Sequence, residues 1–301
     1  MQYSFLILMQ SLNNDFLTLA ANFLSLLGEE TFLIVILLII YYICDKKAGF
    51  SIFSSLLGAE ILTNAVKAVV RAPRPFTVHP HLLADRLETA TGYSFPSGHT
   101  TGAAAFYPAA ARESGRKILL VLSIILAALI GLSRNYLMVH WPVDVITGLM
   151  IGLVFSLAIS LIFDRIYEDR NLRIRFCTIY SVAGGVLALI LTVLLSLKAA
   201  DETAFSDLMK ILALSCGAYA GCLLETEKVN FKVCRSAGKG IANMAFSLII
   251  ILAIMGLKAV IPPQYYYPGS FVRYALIGFW ATGLYPLIAV KLKLLGVAES
   301  L

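Results

Sequence analysis

The sequence predicts an all-α fold, a polytopic membrane bundle of about nine transmembrane helices. Three observations predict it. Of 301 residues, 59% are hydrophobic and 14% are charged, where an ordinary soluble domain carries about 25% charged residues. Apolar stretches comparable to a bilayer crossing recur along the whole chain. The 24 Lys and Arg lie mostly between those stretches and form no basic block, so the net charge of +6 reads as membrane topology. No nucleic-acid partner is expected.

Residues 1–30 form the first element. The run from Tyr3 to Leu27 is interrupted by Ser11, Asn13, Asn14 and Asp15 and followed by Glu29 and Glu30, so it forms either an interfacial helix or an extra membrane helix. The first Lys or Arg is Lys46; without a basic n-region, the segment is expected to be retained. Nine apolar spans follow: Thr31 to Cys44, Phe50 to Val70, Thr100 to Ala111, Ile118 to Leu132, Val143 to Phe163, Phe176 to Leu197, Leu208 to Leu224, Ile241 to Val260 and Val272 to Val290. Several are shorter than the ~20 residues a ~30 Å crossing needs, so their polar flanks must sit in the interface or line the interior. The loops are short and no repeat or linker separates domains, which predicts one integrated bundle. Cys44, Cys177, Cys216, Cys222 and Cys234 show no metal or disulfide spacing and read as packing residues.

The cations orient the bundle. Fifteen Lys and Arg fall in the loops Asp45 to Gly49, Arg112 to Lys117, Asp164 to Arg175, Glu225 to Gly240 and the C-terminus, against eight on the opposite side. By the positive-inside rule the first side is cytoplasmic and the second extracytoplasmic.

Three clusters carry chemistry. In the second span Glu60, Asn64, Lys67 and Arg71 recur at helical spacing as one polar stripe. Ionisable groups are costly in a membrane, so the stripe faces the bundle interior or a wet cavity, although snorkelling to headgroups explains Arg71 equally well. Pro73 and Pro75 then break the helix and leave Arg74 at its extracytoplasmic end. Next, Pro96-Ser97-Gly98-His99 precedes a helical run. Ser97 is a natural N-cap, the first-turn amides make an anion site, and Gly98 lets the anion approach the backbone. Last come Ser133-Arg134, His140 and Asp144, with Pro142 suited to the first helical position. Asp144 can then reach back and fix the His140 tautomer, leaving the other ring nitrogen free as a nucleophile.

Each cluster alone has an ordinary reading as a cap or an interfacial group. The topology decides otherwise, because all three reach the extracytoplasmic face, where Lys67, Arg74, Arg134, His99 and His140 converge. Three cations, a helix N-terminus and two histidines fit a tetrahedral phosphate, one histidine attacking and one protonating the leaving group.

At these residues the sequence resembles the type 2 phosphatidic acid phosphatase (PAP2) superfamily, which shares a core with vanadium haloperoxidases and glucose-6-phosphatase. The pattern Lys-x6-Arg-Pro, Pro-Ser-Gly-His, Ser-Arg-x5-His-x3-Asp is met without departure by Lys67, Arg74-Pro75, Pro96 to His99, Ser133-Arg134, His140 and Asp144. A chance match to one fixed four-residue string is on the order of one in a hundred thousand per starting position. The resemblance covers Phe50 to Phe163 and implies that His140 attacks phosphorus while Asp144 orients it. It further implies that His99 protonates the leaving oxygen and later activates water. Lys67, Arg74 and Arg134, with Ser97 and the Gly98 amide, would hold the phosphate oxygens. Neither cofactor nor metal is implied, and no carboxylate cluster offers to hold a metal. The domain reading is then a PAP2 catalytic core over 31–165 and a four-helix membrane extension over 166–301.

The expected activity is hydrolysis of a lipid phosphomonoester or diphosphate through a phosphohistidine, in a bacterial plasma membrane. Membrane lipids and a phosphorylated lipid are the expected partners. Sugar-phosphate hydrolysis, lipid phosphotransfer and lipid or ion transport are the alternatives. His79 and His81 read as part of a loop closing over the substrate, or as a metal pair. Tyr265 to Tyr267 read as an interfacial aromatic belt or a lipid-entry rim.

Overall fold

The computed structural model describes residues 1–233 and 237–297; Cys234 lies outside the described residues. In chain order the helices are α1 (Gln2–Ser11), α2 (Asp15–Leu27), α3 (Glu30–Ile39), α4 (Lys46–Val70), α5 (Pro75–Val78), α6 (Gly98–Glu113) and α7 (Lys117–Tyr136). There follow α8 (Pro142–Glu168), α9 (Arg170–Ser196), α10 (Glu202–Leu224), α11 (Ala237–Gly256), α12 (Tyr266–Phe279) and α13 (Tyr285–Lys291). A two-residue antiparallel pair, β1 (Phe231–Lys232) with β2 (Gly296–Val297), is the extended structure among the described residues.

The nine apolar spans read from the sequence all fall on helices. Among the described residues seven helices are long and apolar enough to cross a membrane, or eight if the pair Asp15–Leu27 and Glu30–Cys44, bent by 53°, makes one span. The remaining span corresponds to α6, which at 16 residues covers only about 24 Å. The chain is therefore a multi-pass membrane protein. Val182, Val186 and Leu189 on α9 are 52–59% exposed; an apolar face of this kind needs lipid around it.

Two compact units divide the chain: Met1–Ile34 with Ser51–Leu161, and Val35–Phe50 with Ile162–Leu301. In the first, α6 is the buried centre, and a run of small residues explains why. Ala103, Ala104 and Ala105 are fully buried, so neighbouring helices approach its backbone closely. Ser55 Oγ on α4 donates to the Ala105 carbonyl at 3.0 Å. Thr63 Oγ1 lies 3.1 Å from Thr101 Oγ1, which in turn donates to the Ser97 carbonyl at 3.0 Å. On α8, a Cβ at Gly152 would lie 2.5 Å from both the Thr101 carbonyl and Ala104 Cβ, so only glycine fits. These contacts fix the first turn of α6.

In the second unit α9 and α10 pack closely, with Ser181 Oγ donating to the Cys216 carbonyl at 2.9 Å. Arg273 is 6% exposed, and its Nε and Nη2 donate to the Ile254 and Met255 carbonyls at 3.1 and 2.7 Å, capping the end of α11. Lys46 binds Glu225 at 2.8 Å and the Phe231 carbonyl at 3.0 Å. Tyr265 is exposed just before α12.

Candidate active site

The first unit holds every residue singled out for chemistry. Pro142 opens α8 and puts Asp144 in its first turn, where Asp144 Oδ2 accepts from the Trp141 backbone N–H at 2.9 Å and from Ser94 Oγ at 2.5 Å. His140 Nδ1 lies 3.3 Å from the same oxygen. On the other side of the ring, Nε2 lies 3.3 Å from Arg74 Nη1. A guanidinium can only donate, so Nε2 carries the lone pair and the Nδ1 proton faces the carboxylate. His140 and Asp144 are 2% and 1% exposed. Burial pushes the His140 pKa well below its ordinary value, and Arg74, Arg134, Lys67 and His99 push it further. The imidazole is accordingly neutral, the nucleophilic form.

Arg74 stands between the end of α4 and Pro75, where two prolines interrupt the helix. Nε donates to the Gly92 carbonyl at 3.1 Å, Nη2 to Thr91 at 2.6 Å and Nη1 to Val139 at 3.0 Å. These bonds tie the loop ending at Gly92 to the segment carrying His140. The Ser97 backbone N–H donates to the Asp144 carbonyl at 3.0 Å, joining the start of α6 to the same cluster.

Ser97 is the N-cap by position, but its hydroxyl accepts from no first-turn amide. It accepts instead from Thr100 Oγ1 at 2.9 Å, which leaves the helix N-terminus uncapped by its own side chain and suited to an anion. Lys67 Nζ and Glu60 Oε2 flank this end, 3.7 and 3.8 Å from where a Gly98 Cβ would stand. His99 Nε2 is buried with no hydrogen-bond partner. Arg134 is fully buried; Nη1 donates to Ser25 Oγ at 2.5 Å and Nη2 to Thr89 Oγ1 at 3.1 Å.

Sequence reasoning missed Ser94, Ser25 and Thr89, whose hydroxyls hold Asp144 and Arg134. Arg86, which the sequence places in the same loop as His79 and His81, pairs with Glu29 and donates from Nη1 to the Asn22 carbonyl at 3.1 Å. Arg71 folds onto its own helix, Nε donating to the Ala68 carbonyl at 3.0 Å. His79 and His81 meet Tyr3 of α1, which stacks on the first at 4.3 Å and bonds the second at 2.6 Å. Among the described residues no group of three His, Cys, Asp or Glu side chains could hold a metal ion.

Residues 48–168 match the sequence model of the PAP2 superfamily, and residues 209–299 match that of the PAP2 superfamily phosphatase transmembrane extension. The chain belongs to the PAP2 superfamily. Lys67, Arg74, Ser97 to His99, Arg134, His140 and Asp144 all lie within the first PAP2 match. The chain is 35% identical over 136 residues to the undecaprenyl-diphosphatase of Sulfolobus acidocaldarius, an overlap covering 43% of this chain and 63% of that one. It is 31% identical over 90 residues to phosphatidylglycerophosphatase B of Bacillus subtilis, covering 27% and 44%. It thus spans about half the length of these curated relatives. The crystal structure of Aquifex aeolicus LpxE superimposes with a TM-score of 0.47 at 22% identity, covering 52% of this chain and 93% of that one.

Proposed function

We propose that this PAP2 protein is a phosphatase that hydrolyses a lipid phosphomonoester or diphosphate at the extracytoplasmic face of a bacterial plasma membrane, without a metal. One observation carries the reading. Between the Asp144 carboxylate and the Arg74 guanidinium, the His140 ring presents a lone pair beside a cation suited to a phosphate oxygen. The similarity to enzymes named as an undecaprenyl-diphosphatase and a phosphatidylglycerophosphatase supports a lipid as the bearer of the phosphate.

The steps balance on the residues present. The His140 Nε2 lone pair attacks phosphorus and the bond to the leaving oxygen breaks. His99, protonated once the anionic substrate is bound beside it, gives that oxygen its proton. His99 then takes a proton from water, the water oxygen attacks the phosphohistidine, and the Nε2–P bond breaks to release phosphate. Throughout, Asp144 holds the Nδ1 proton, and Arg74, Arg134, Lys67 and the Gly98 amide hold the other oxygens. Donors placed before the reaction, in a site shielded from water, stabilise the developing charge.

The test is phosphate release by the full chain in detergent, with phosphatidate and a prenyl diphosphate as substrates and EDTA present. Turnover, inhibition by vanadate and loss of turnover in His140→Ala are expected. Undiminished turnover in His140→Ala overturns the mechanism.

A further inference from the structure

We propose that helix α2 is part of the active site, and that Ser25 on it is a positioning residue that aims Arg134 at the bound phosphate. The inference rests on the phosphatase reading above. Helix α2 lies outside residues 48–168, the segment that matches the PAP2 model.

Arg134 and Ser25 are both fully buried, so their 2.5 Å contact has no competing water. A guanidinium is planar, and two contacts fix its plane. Ser25 Oγ holds Nη1 from α2, and Thr89 Oγ1 holds Nη2 from the loop before α6. The Nε donor remains buried with no partner. A buried N–H of a charged group left unpaired is costly, and a phosphate oxygen is the partner this chemistry calls for.

The rest of α2 is built to the same purpose. One turn beyond Ser25, a Cβ at Gly28 would lie 2.6 Å from Ile130 Cγ2 and 3.2 Å from the His99 carbonyl, so glycine lets the helix end close on the segment carrying His99. The Leu27 carbonyl accepts from Tyr107 OH on α6 at 2.7 Å. Arg86, three residues before Thr89, donates to the Asn22 carbonyl and pairs with Glu29. The end of α2 therefore touches the helix of the proposed acid, the arginine and the loop that clamps it.

Removing the Ser25 hydroxyl frees one edge of the guanidinium to swing about Thr89. The experiment titrates orthovanadate into the full chain in detergent by calorimetry, for wild type, Ser25→Ala, Arg134→Ala and the double variant. Ser25→Ala is expected to weaken binding about tenfold, the loss of one hydrogen bond to a charged group, and to weaken it no further when Arg134 is already alanine. Ser25→Cys, of similar volume but a poor acceptor, and Thr89→Val, which cuts the other contact, are expected to weaken binding likewise. They serve if Ser25→Ala does not fold. Ser11→Ala, whose hydroxyl bonds only the Leu8 carbonyl of its own helix, is expected to bind as wild type does. If Arg134→Ala weakens binding but Ser25→Ala does not, or if the two losses multiply, the inference fails and the phosphatase reading stands. Wild-type binding in Arg134→Ala overturns both.

Discussion

Replacing Asp144 by Asn tests how the site sets the His140 tautomer. Asp144 Oδ2 takes three donors, from Ser94 at 2.5 Å, the Trp141 amide at 2.9 Å and His140 Nδ1 at 3.3 Å, while Oδ1 is buried with no partner. If the Asn oxygen keeps the Oδ2 position, its NH2 group is buried unpaired where Oδ1 was. If the amide flips, its NH2 faces the Trp141 N–H, and the imidazole must present its lone pair there and lose the nucleophile at Nε2. In either orientation the negative charge that stabilises the imidazole in the transition state is gone. A hydrogen bond to a charged group contributes about 1.5–3 kcal/mol, so kcat is expected to fall about 10- to 150-fold. The assay is phosphate release under saturating lipid phosphate, paired with a titration of inorganic phosphate. Arg74, Arg134 and Lys67 remain, so affinity for inorganic phosphate, a ground-state anion, is expected to stay within about threefold of wild type, a loss confined to the transition state. A kcat within twofold of wild type, or equal losses in kcat and phosphate affinity, refutes the reasoning.

Three further outcomes follow from the geometry. Arg74→Lys strands the Thr91, Gly92 and Val139 carbonyls that one ammonium cannot reach together; at about 1–3 kcal/mol for a buried group left unpaired, a lower Tm and at least tenfold slower phosphate release are expected, and unchanged values exclude that role. Gly152→Ala forces a methyl to within 2.5 Å of the Thr101 carbonyl and is expected to cost about 1–3 kcal/mol, read as a fall in Tm. The depressed His140 pKa gives the stability a pH slope. Below the unfolded value of about 6.5 the unfolded chain binds the proton that the folded chain refuses, so stability is present above that pH and is lost as pH falls toward the folded value, by up to about 1.4 kcal/mol per unit. Between pH 7.5 and 5 the Tm of wild type is therefore expected to drop more than that of His140→Asn, and parallel curves exclude the effect.

How much of this was legible in the sequence depended on what membranes penalise. A charge inside a span is costly enough to be rare, so Lys67 within a span and Arg74 and Arg134 just past span ends stood out against 14% charge, and the helical period with the prolines after α4 located Lys67 on its helix and Arg74 beyond it. The apolar runs gave the helices for the same reason. What composition could not show is that the span Thr100 to Ala111 is short because α6 is wrapped in protein, its Ala103 to Ala105 fully buried; burial against helices looks like burial against lipid in a list of residues.

The hydroxyls were illegible for the opposite reason. A serine costs little in a span or a loop and can bond its own backbone, so Ser25 on α2 and Ser94 in the loop before α6 carry no local signal, and what selects them is contact across 109 residues with Arg134 and across 50 with Asp144. The Ser97 cap shows the same limit within one turn. Position and residue type predicted a hydroxyl accepting from a backbone amide, yet Thr100 supplies a donor 2.9 Å away and takes the acceptor. That substitution leaves the first-turn amides of α6 to a ligand. A local rule failed here because a neighbouring side chain competed for the same oxygen, and the failure falls where an anion site needs its amides unoccupied.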